Sequence, residues 1–145
     1  GHEHGYKDFK KKQINCLIKI SKNLIKKYKI KKQNILGHSD IAPLRKKDPG
    51  EKFPWKKLAK KRLCKWHNLN RKKIKKFRSI SVSVKEKKIF LNNLSKIGYN
   101  LKIKKIFDKN TRLIIIAYQR HFRQELIDGK IDKECLLISK NLIKS

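Results

Sequence analysis

Gly37-His38-Ser39-Asp40-Ile41-Ala42-Pro43-Leu44-Arg45-Lys46-Lys47-Asp48-Pro49-Gly50, followed by Phe53-Pro54-Trp55, is the stretch of this 145-residue chain from which most can be read. Ahead of it, Asn34-Ile35-Leu36-Gly37 reads as a short buried strand that places His38 at a strand end. Residues 39–54 are rich in Pro, Gly and charge and hold neither helical nor strand period, so they read as a loop. A His at a strand end, a rigid Pro-containing loop and an Asp held by a Pro-Gly turn are a way to bring an imidazole and a carboxylate together. Those groups are zinc ligands of the catalytic kind, where three protein donors leave a fourth position open for water. Lys46, two residues before Asp48, can set its cation against a developing oxyanion. The alternative is that Asp48 caps a turn and His38 is an ordinary loop histidine. Spacing alone leaves both open.

Around this stretch the pattern is helical. Residues 9–28 carry Phe9, Ile14, Leu17, Ile18, Ile20, Leu24, Ile25 and Tyr28 at spacings of mainly three and four, which predicts an amphipathic helix ending near Lys29. Residues 55–63 predict one short helix. Residues 68–83 are basic and Ser-containing and read as a linker, in which the alternation at 79–84 is compatible with extended backbone. Residues 84–97 predict a helix stopped by Gly98. Residues 111–122 predict another, with Asn110 or Thr111 as N-cap. Asp128-Gly129 is a turn, and 132–143 is a third helix capped by Asp132. The expected organisation is thus 1–67, 68–83 as linker and 84–145. The expected fold class is α/β, a small sheet with flanking helices, followed by a small all-α three-helix bundle.

Composition narrows the function. The net charge is +31, from 42 Lys+Arg against 11 Asp+Glu. Such an excess ordinarily points to nucleic acid. Here Lys outnumbers Arg 35 to 7, beside 20 Ile and 10 Asn, as AT-rich codons would produce. The basic clusters are scattered rather than gathered into a stripe, and Arg, the preferred bidentate reader of guanine and phosphate, is scarce. No helix-turn-helix, zinc-finger or RNP-type pattern is present. The reading is a solvated lysine-rich face with salt-sensitive, nonspecific polyanion binding and no specific nucleic-acid partner. The longest apolar run is the six residues 113–118, so no spanning helix is expected. The three Cys, at 16, 64 and 135, argue against a disulfide framework or a metal knuckle. Met is absent, which reads as a chain that begins inside a longer one.

The 37–55 stretch resembles the zinc-dependent N-acetylmuramoyl-L-alanine amidases of the anhydro-muramyl-peptide amidase type. Their Gly-His-Ser-Asp-Ile-Ala-Pro, Arg-Lys, Asp-Pro-Gly and Phe-Pro-Trp elements stand here nearly complete, with Leu44 where a small residue or Gln is more usual. Gly1-His2-Glu3-His4-Gly5-Tyr6, with Gln13 on the next helix, is similar to a segment of alphaproteobacterial members. The resemblance covers about residues 1–63. It implies that His38 and Asp48 are the second and third zinc ligands and that Lys46 stabilises the tetrahedral intermediate. Arg45 and Trp55 match positions that shape the loop and cleft, and His4 would line the substrate cleft. The family's first zinc His and its catalytic Glu have no counterpart among these residues. The expectation is therefore the C-terminal half of an amidase domain, inactive by itself.

A second resemblance lies further on. Ile97-Gly98-Tyr99-Asn100, Ala117-Tyr118-Gln119-Arg120-His121-Phe122-Arg123 and Ile127-Asp128-Gly129-Lys130-Ile131-Asp132 are similar to the three-helix peptidoglycan-binding-like domain. Phe122, Tyr118 and Ile114 read as core. Gln119, Arg120 and Arg123 read as exposed candidates for glycan or stem-peptide contact. Together these imply zinc-dependent hydrolysis of the amide between N-acetylmuramic acid and L-alanine, with Zn2+ as cofactor and peptidoglycan or muropeptide as partner. The setting would be the bacterial cytoplasm or periplasm. The alternatives are a non-catalytic peptidoglycan-binding remnant and a basic nucleic-acid-binding protein.

Overall fold

Helix α1 (Lys11–Tyr28) forms where the apolar period predicts it. Its entry is tied by the Lys10 backbone N–H to Gln13 Oε1 at 3.0 Å. It ends at Lys29, in the left-handed region at φ 52, where the N–H reaches back to the Ile25 carbonyl. The computed structural model describes residues 7–101 and 108–144. His2 and His4 lie outside the described residues. The chain divides into two units, Gly1–Trp66 and His67–Ser145.

In the first unit α1 is followed by a 3-10 turn (Lys32–Asn34), α2 (His38–Ile41) and α3 (Trp55–Lys60). Ile14 of α1 packs with Phe53, Trp55, Leu58, Leu63 and Cys64, flanked by Leu17, Ile18, Ile25 and Ile35. Phe53 bridges the aromatic rings, edge-on to Phe9 at 5.5 Å and to Trp55 at 4.7 Å. One stripe of α1 is not used in this way: Ile20, Leu24 and Tyr28 remain exposed.

The expected sheet does not form, and the α/β class is corrected to an all-helical fold. Among the described residues there is no strand, only an isolated antiparallel bridge between Ser81 and Asp132. The reason is visible at 34–37. Ile35 and Gly37 are extended, at ψ 100 and 164. Extended backbone becomes a strand only when a neighbouring segment takes up its N–H and C=O groups. Here the Asn34 and Ile35 N–H groups close local turns onto the Lys31 and Lys32 carbonyls. The Gly37 N–H is taken by the Asp40 carboxylate. His38 accordingly opens a short helix instead of closing a strand, and α3 stops at Lys60 rather than at Leu63.

The second unit holds α4 (Arg71–Lys75), α5 (Val84–Ile97), α6 (Lys109–Phe122) and α7 (Lys133–Leu142). Residues 68–83, read from sequence as a linker, carry α4 and belong to this unit. Each long helix has a side-chain cap. Ser83 and Glu86 exchange bonds across the start of α5, Asp108 accepts from the Thr111 N–H at 2.7 Å, and Asp132 from the Cys135 N–H at 2.8 Å. The α6 cap is thus Asp108, two or three residues earlier than predicted. Gly98 stops α5 at φ 117, a conformation open to glycine at little cost. Phe90, Leu94, Tyr118, Leu136 and Leu142 form the centre of the core.

Polar residues knit this unit internally. Arg78 makes a two-pronged contact to Glu134, with Nε to Oε2 at 2.6 Å and Nη2 to Oε1 at 2.9 Å. That carboxylate holds the Arg78 guanidinium more firmly charged than usual, against the opposing effect of burial. Arg71 pairs with Glu125. The thiols of Cys64 and Cys135 are pushed up to about 12 by burial, so neither is a reactive nucleophile near neutral pH.

Candidate active site

The loop after α2 is a run of tight turns. The Ala42 carbonyl accepts from both Arg45 and Lys46 N–H groups, at 3.1 and 2.9 Å, and Gly50 N–H donates to the Lys47 carbonyl at 3.0 Å. This folds the chain back so that Asp48 returns to the start of α2. The Ser39 N–H donates to the Asp48 carbonyl at 3.0 Å, tying the two backbones. The Asp48–Pro49 peptide is cis.

The consequence is a direct side-chain contact. His38 Nδ1 lies 2.6 Å from Asp48 Oδ2, with side chains 68% and 49% exposed. Desolvation pushes the Asp48 carboxyl up. The hydrogen bond and charge of His38, a backbone N–H and the nearby Lys46 ammonium outweigh it and leave the group below its ordinary value of 3.8. Asp48 is therefore an anion at neutral pH, facing solvent beside an imidazole nitrogen.

Gly37 explains why the turn can close this tightly. A Cβ there would stand 2.6 Å from Pro49 Cδ and 3.2 Å from Trp55 Cζ2. Only glycine lets the strand-like segment and the Asp48-Pro49 turn approach. Trp55, 3% exposed, supports this contact from beneath as part of the core. Its indole thus shapes the loop. Arg45 and Lys46 are exposed at the loop's rim.

The expected site in the second unit is also rearranged. Gln119 and Arg123, read as exposed, are 0% and 1% exposed. Gln119 Nε2 donates to Asp128 Oδ1 and the Lys130 carbonyl, at 3.1 and 2.9 Å, while its Oε1 accepts from the Asp128 and Gly129 N–H groups. Arg123 Nη1 donates to Asp132 Oδ2 at 3.1 Å. Both are tied into the unit because they fall on the inward face of α6, Gln119 four residues after Ile115 and Arg123 four after Gln119. Arg120 is half-buried, and its Nε has no hydrogen-bond partner among the described residues.

The residue that sequence reasoning passed over is Asp40. Its carboxylate is buried and accepts the Gly37 N–H at 2.8 Å. The signal was present: an acidic residue three positions after a glycine, at the start of a helical turn.

Could these residues hold a metal? His38 and Asp48 present a nitrogen and an oxygen donor that already converge on one proton, and both suit a divalent zinc ion. Among the described residues no group of three or more His, Cys, Asp or Glu is placed to hold a metal ion. The pair offers two donors of the types zinc takes.

Residues 1–51 match the family N-acetylmuramoyl-L-alanine amidase. The chain is similar to the N-acetylmuramoyl-L-alanine amidases of the AmiD and AmpD type. It is 34% identical over 136 residues to the N-acetylmuramoyl-L-alanine amidase AmiD of Escherichia coli (strain K12), covering 94% of this chain and 49% of that protein. It is 47% identical over 46 residues to the 1,6-anhydro-N-acetylmuramyl-L-alanine amidase AmpD of Enterobacter cloacae, covering 32% of this chain and 25% of that protein.

Among solved structures, the complex of E. coli AmiD with the substrate anhydro-N-acetylmuramic acid-L-Ala-D-gamma-Glu-L-Lys matches with a TM-score of 0.80 at 34% identity. It covers 94% of this chain and 53% of that one. AmpDh3 of Pseudomonas aeruginosa, in complex with an anhydromuramic pentapeptide, matches at 0.78 and 30% identity, covering 95% of this chain and 54% of that one. The chain thus spans about half the length of AmiD. The AmiD and AmpDh3 matches cover residues of both units. No helix among the described residues is long and apolar enough to cross a membrane.

Proposed function

We propose that this chain supplies part of a zinc-dependent amidase site for the amide between N-acetylmuramic acid and L-alanine, in peptidoglycan or in anhydro-muropeptides. The observation that carries the reading is the 2.6 Å approach of His38 Nδ1 and Asp48 Oδ2 on an exposed rim. His38 and Asp48 would hold the zinc, and zinc bound there would polarise the scissile carbonyl. Lys46 sets its ammonium beside Asp48, where it can meet the charge that grows on the carbonyl oxygen. Arg45 and the surrounding lysines draw in the carboxylates of an acidic stem peptide. Gly37, Pro49 and Trp55 hold the loop in place.

The amide bond also needs a group to take a proton from the attacking water. The 145 residues hold no match to the family's catalytic Glu or its first zinc His, so by themselves they bind muropeptide without cleaving it. A second reading is a peptidoglycan-binding protein without catalysis, in which Arg120 of the second unit, whose Nε has no hydrogen-bond partner among the described residues, contacts the wall.

The test is calorimetric titration of anhydro-N-acetylmuramic acid-L-Ala-D-gamma-Glu-L-Lys into the zinc-supplemented full chain, with chromatography of the products. Expected is binding that weakens in Lys46→Ala and in His38→Ala, with no peptide released. Equal binding by His38→Ala and wild type, lost instead in Arg120→Ala, would select the second reading.

A further inference from the structure

His38 and Asp48 are too exposed for packing of their own side chains to fix them, at 68% and 49% exposure. Their meeting must be enforced by the backbone that carries them. Asp40 stands at the centre of that backbone. It is 8% exposed, one of only 11 acidic residues in a chain of net charge +31. A carboxylate drawn out of water is costly unless hydrogen bonds repay it. Asp40 Oδ2 takes the N–H of Gly37, the residue immediately before His38, at 2.8 Å. The Cα of that same glycine lies against the Pro49 ring, next to Asp48. On the other side of His38, the Ser39 N–H is held by the Asp48 carbonyl. His38 is thus gripped on both flanks, once by Asp40 and once by the backbone of its partner.

We propose that Asp40 is a positioning residue, which fixes the chain entering α2 so that the His38 imidazole meets Asp48 with Nδ1. The role needs an acceptor oxygen at that place and not a negative charge. Its consequence for metal affinity rests on the zinc reading given above, but the positioning itself does not. Groups that orient a ligand from behind commonly change metal affinity by tenfold or more.

The experiment uses the full metal-free chain and the imidazole 15N resonances of His38, identified by their loss in His38→Ala. In wild type the neutral ring is expected to carry its proton on Nδ1, since the Asp48 carboxylate 2.6 Å away can only accept. Asp40→Ala should move both 15N shifts toward those of a free imidazole. Asp40→Asn, which retains an acceptor oxygen, should keep the wild-type pattern. Wild-type shifts in a folded Asp40→Ala chain would overturn the proposal. If Asp40→Ala fails to fold, Asp40→Asn decides: a preserved pattern supports the proposal, and a lost one in a folded chain overturns it. A parallel zinc titration should show affinity reduced about tenfold in Asp40→Ala and close to wild type in Asp40→Asn. Should wild type take up no zinc while the 15N pattern still follows Asp40, the zinc reading fails and the positioning role stands.

Discussion

At residue scale the chemistry is concentrated in one carboxylate and one glycine. The Asp48 carboxyl titrates below its ordinary 3.8, so its contact with His38 favours the folded loop at neutral pH. The contribution is present above the ordinary value and is lost as pH falls through the lowered one. A carboxyl 13C titration should show Asp48 with a midpoint under 3.8, and an unshifted midpoint would mean that the pair does not form in solution. Gly37→Ala tests the tight turn. The new Cβ would sit 2.6 Å from a ring carbon that cannot swing aside. A destabilisation of about 1–3 kcal/mol is expected from such overpacking, read by denaturant melting of the Trp55 signal, together with loss of the His38–Asp48 contact. The approach of His38 and Asp48 was legible only in part: Pro43 between them and Pro49-Gly50 after Asp48 restrict the loop, while spacing alone left a capping Asp and an ordinary loop histidine equally open. The roles of Gly37 and Asp40 were not legible, since a close approach becomes visible only once both segments are placed.

Among the elements, what could be read depended on how local the forces are. The stop of α5 at Gly98 and the start of α7 at Asp132 were legible because a cap acts within four residues of itself. The expected strand at 34–37 failed because pairing needs a distant partner, and composition carries no trace of one. Gln119 and Arg123 were misplaced for a related reason: polar types default to the surface, and only their register with Ile115 and Phe122 argued otherwise. Asp132 shows how much such inward polar groups hold. It caps α7, accepts the Ser79 N–H at 3.1 Å and pairs with Arg123. Asp132→Ala would leave the buried Arg123 without its nearest anion and is expected to cost about 3–5 kcal/mol. Chemical denaturation followed by helical circular dichroism measures this, and a loss under 1 kcal/mol would show Arg123 to be satisfied elsewhere.

For the whole molecule, the two units differ in how much apolar surface they bury. Among the described residues, the buried apolar side chains of the first unit are Ile14, Phe53, Trp55, Leu58, Leu63 and Cys64, none of them fully enclosed, while the second unit holds all the others. The first unit also leaves Ile20, Leu24, Tyr28, Leu36, Ile41 and Leu44 exposed. Hydrogen exchange should therefore find α5 to α7 protected well beyond α1 to α3, by tenfold or more in rate at each 1.4 kcal/mol of difference. Equal protection would mean that the units unfold as one. Lysines are spread along the sequence of both units.

The central claim is that the His38 imidazole and the Asp48 carboxylate share a cation. Its most direct measurement is anomalous diffraction at the zinc edge from crystals of the full chain grown with zinc. The expected result is a peak within bonding distance of both His38 Nδ1 and Asp48 Oδ2, absent in Asp48→Ala. Zinc found only at other side chains, with the His38–Asp48 hydrogen bond unbroken beside it, would contradict the claim.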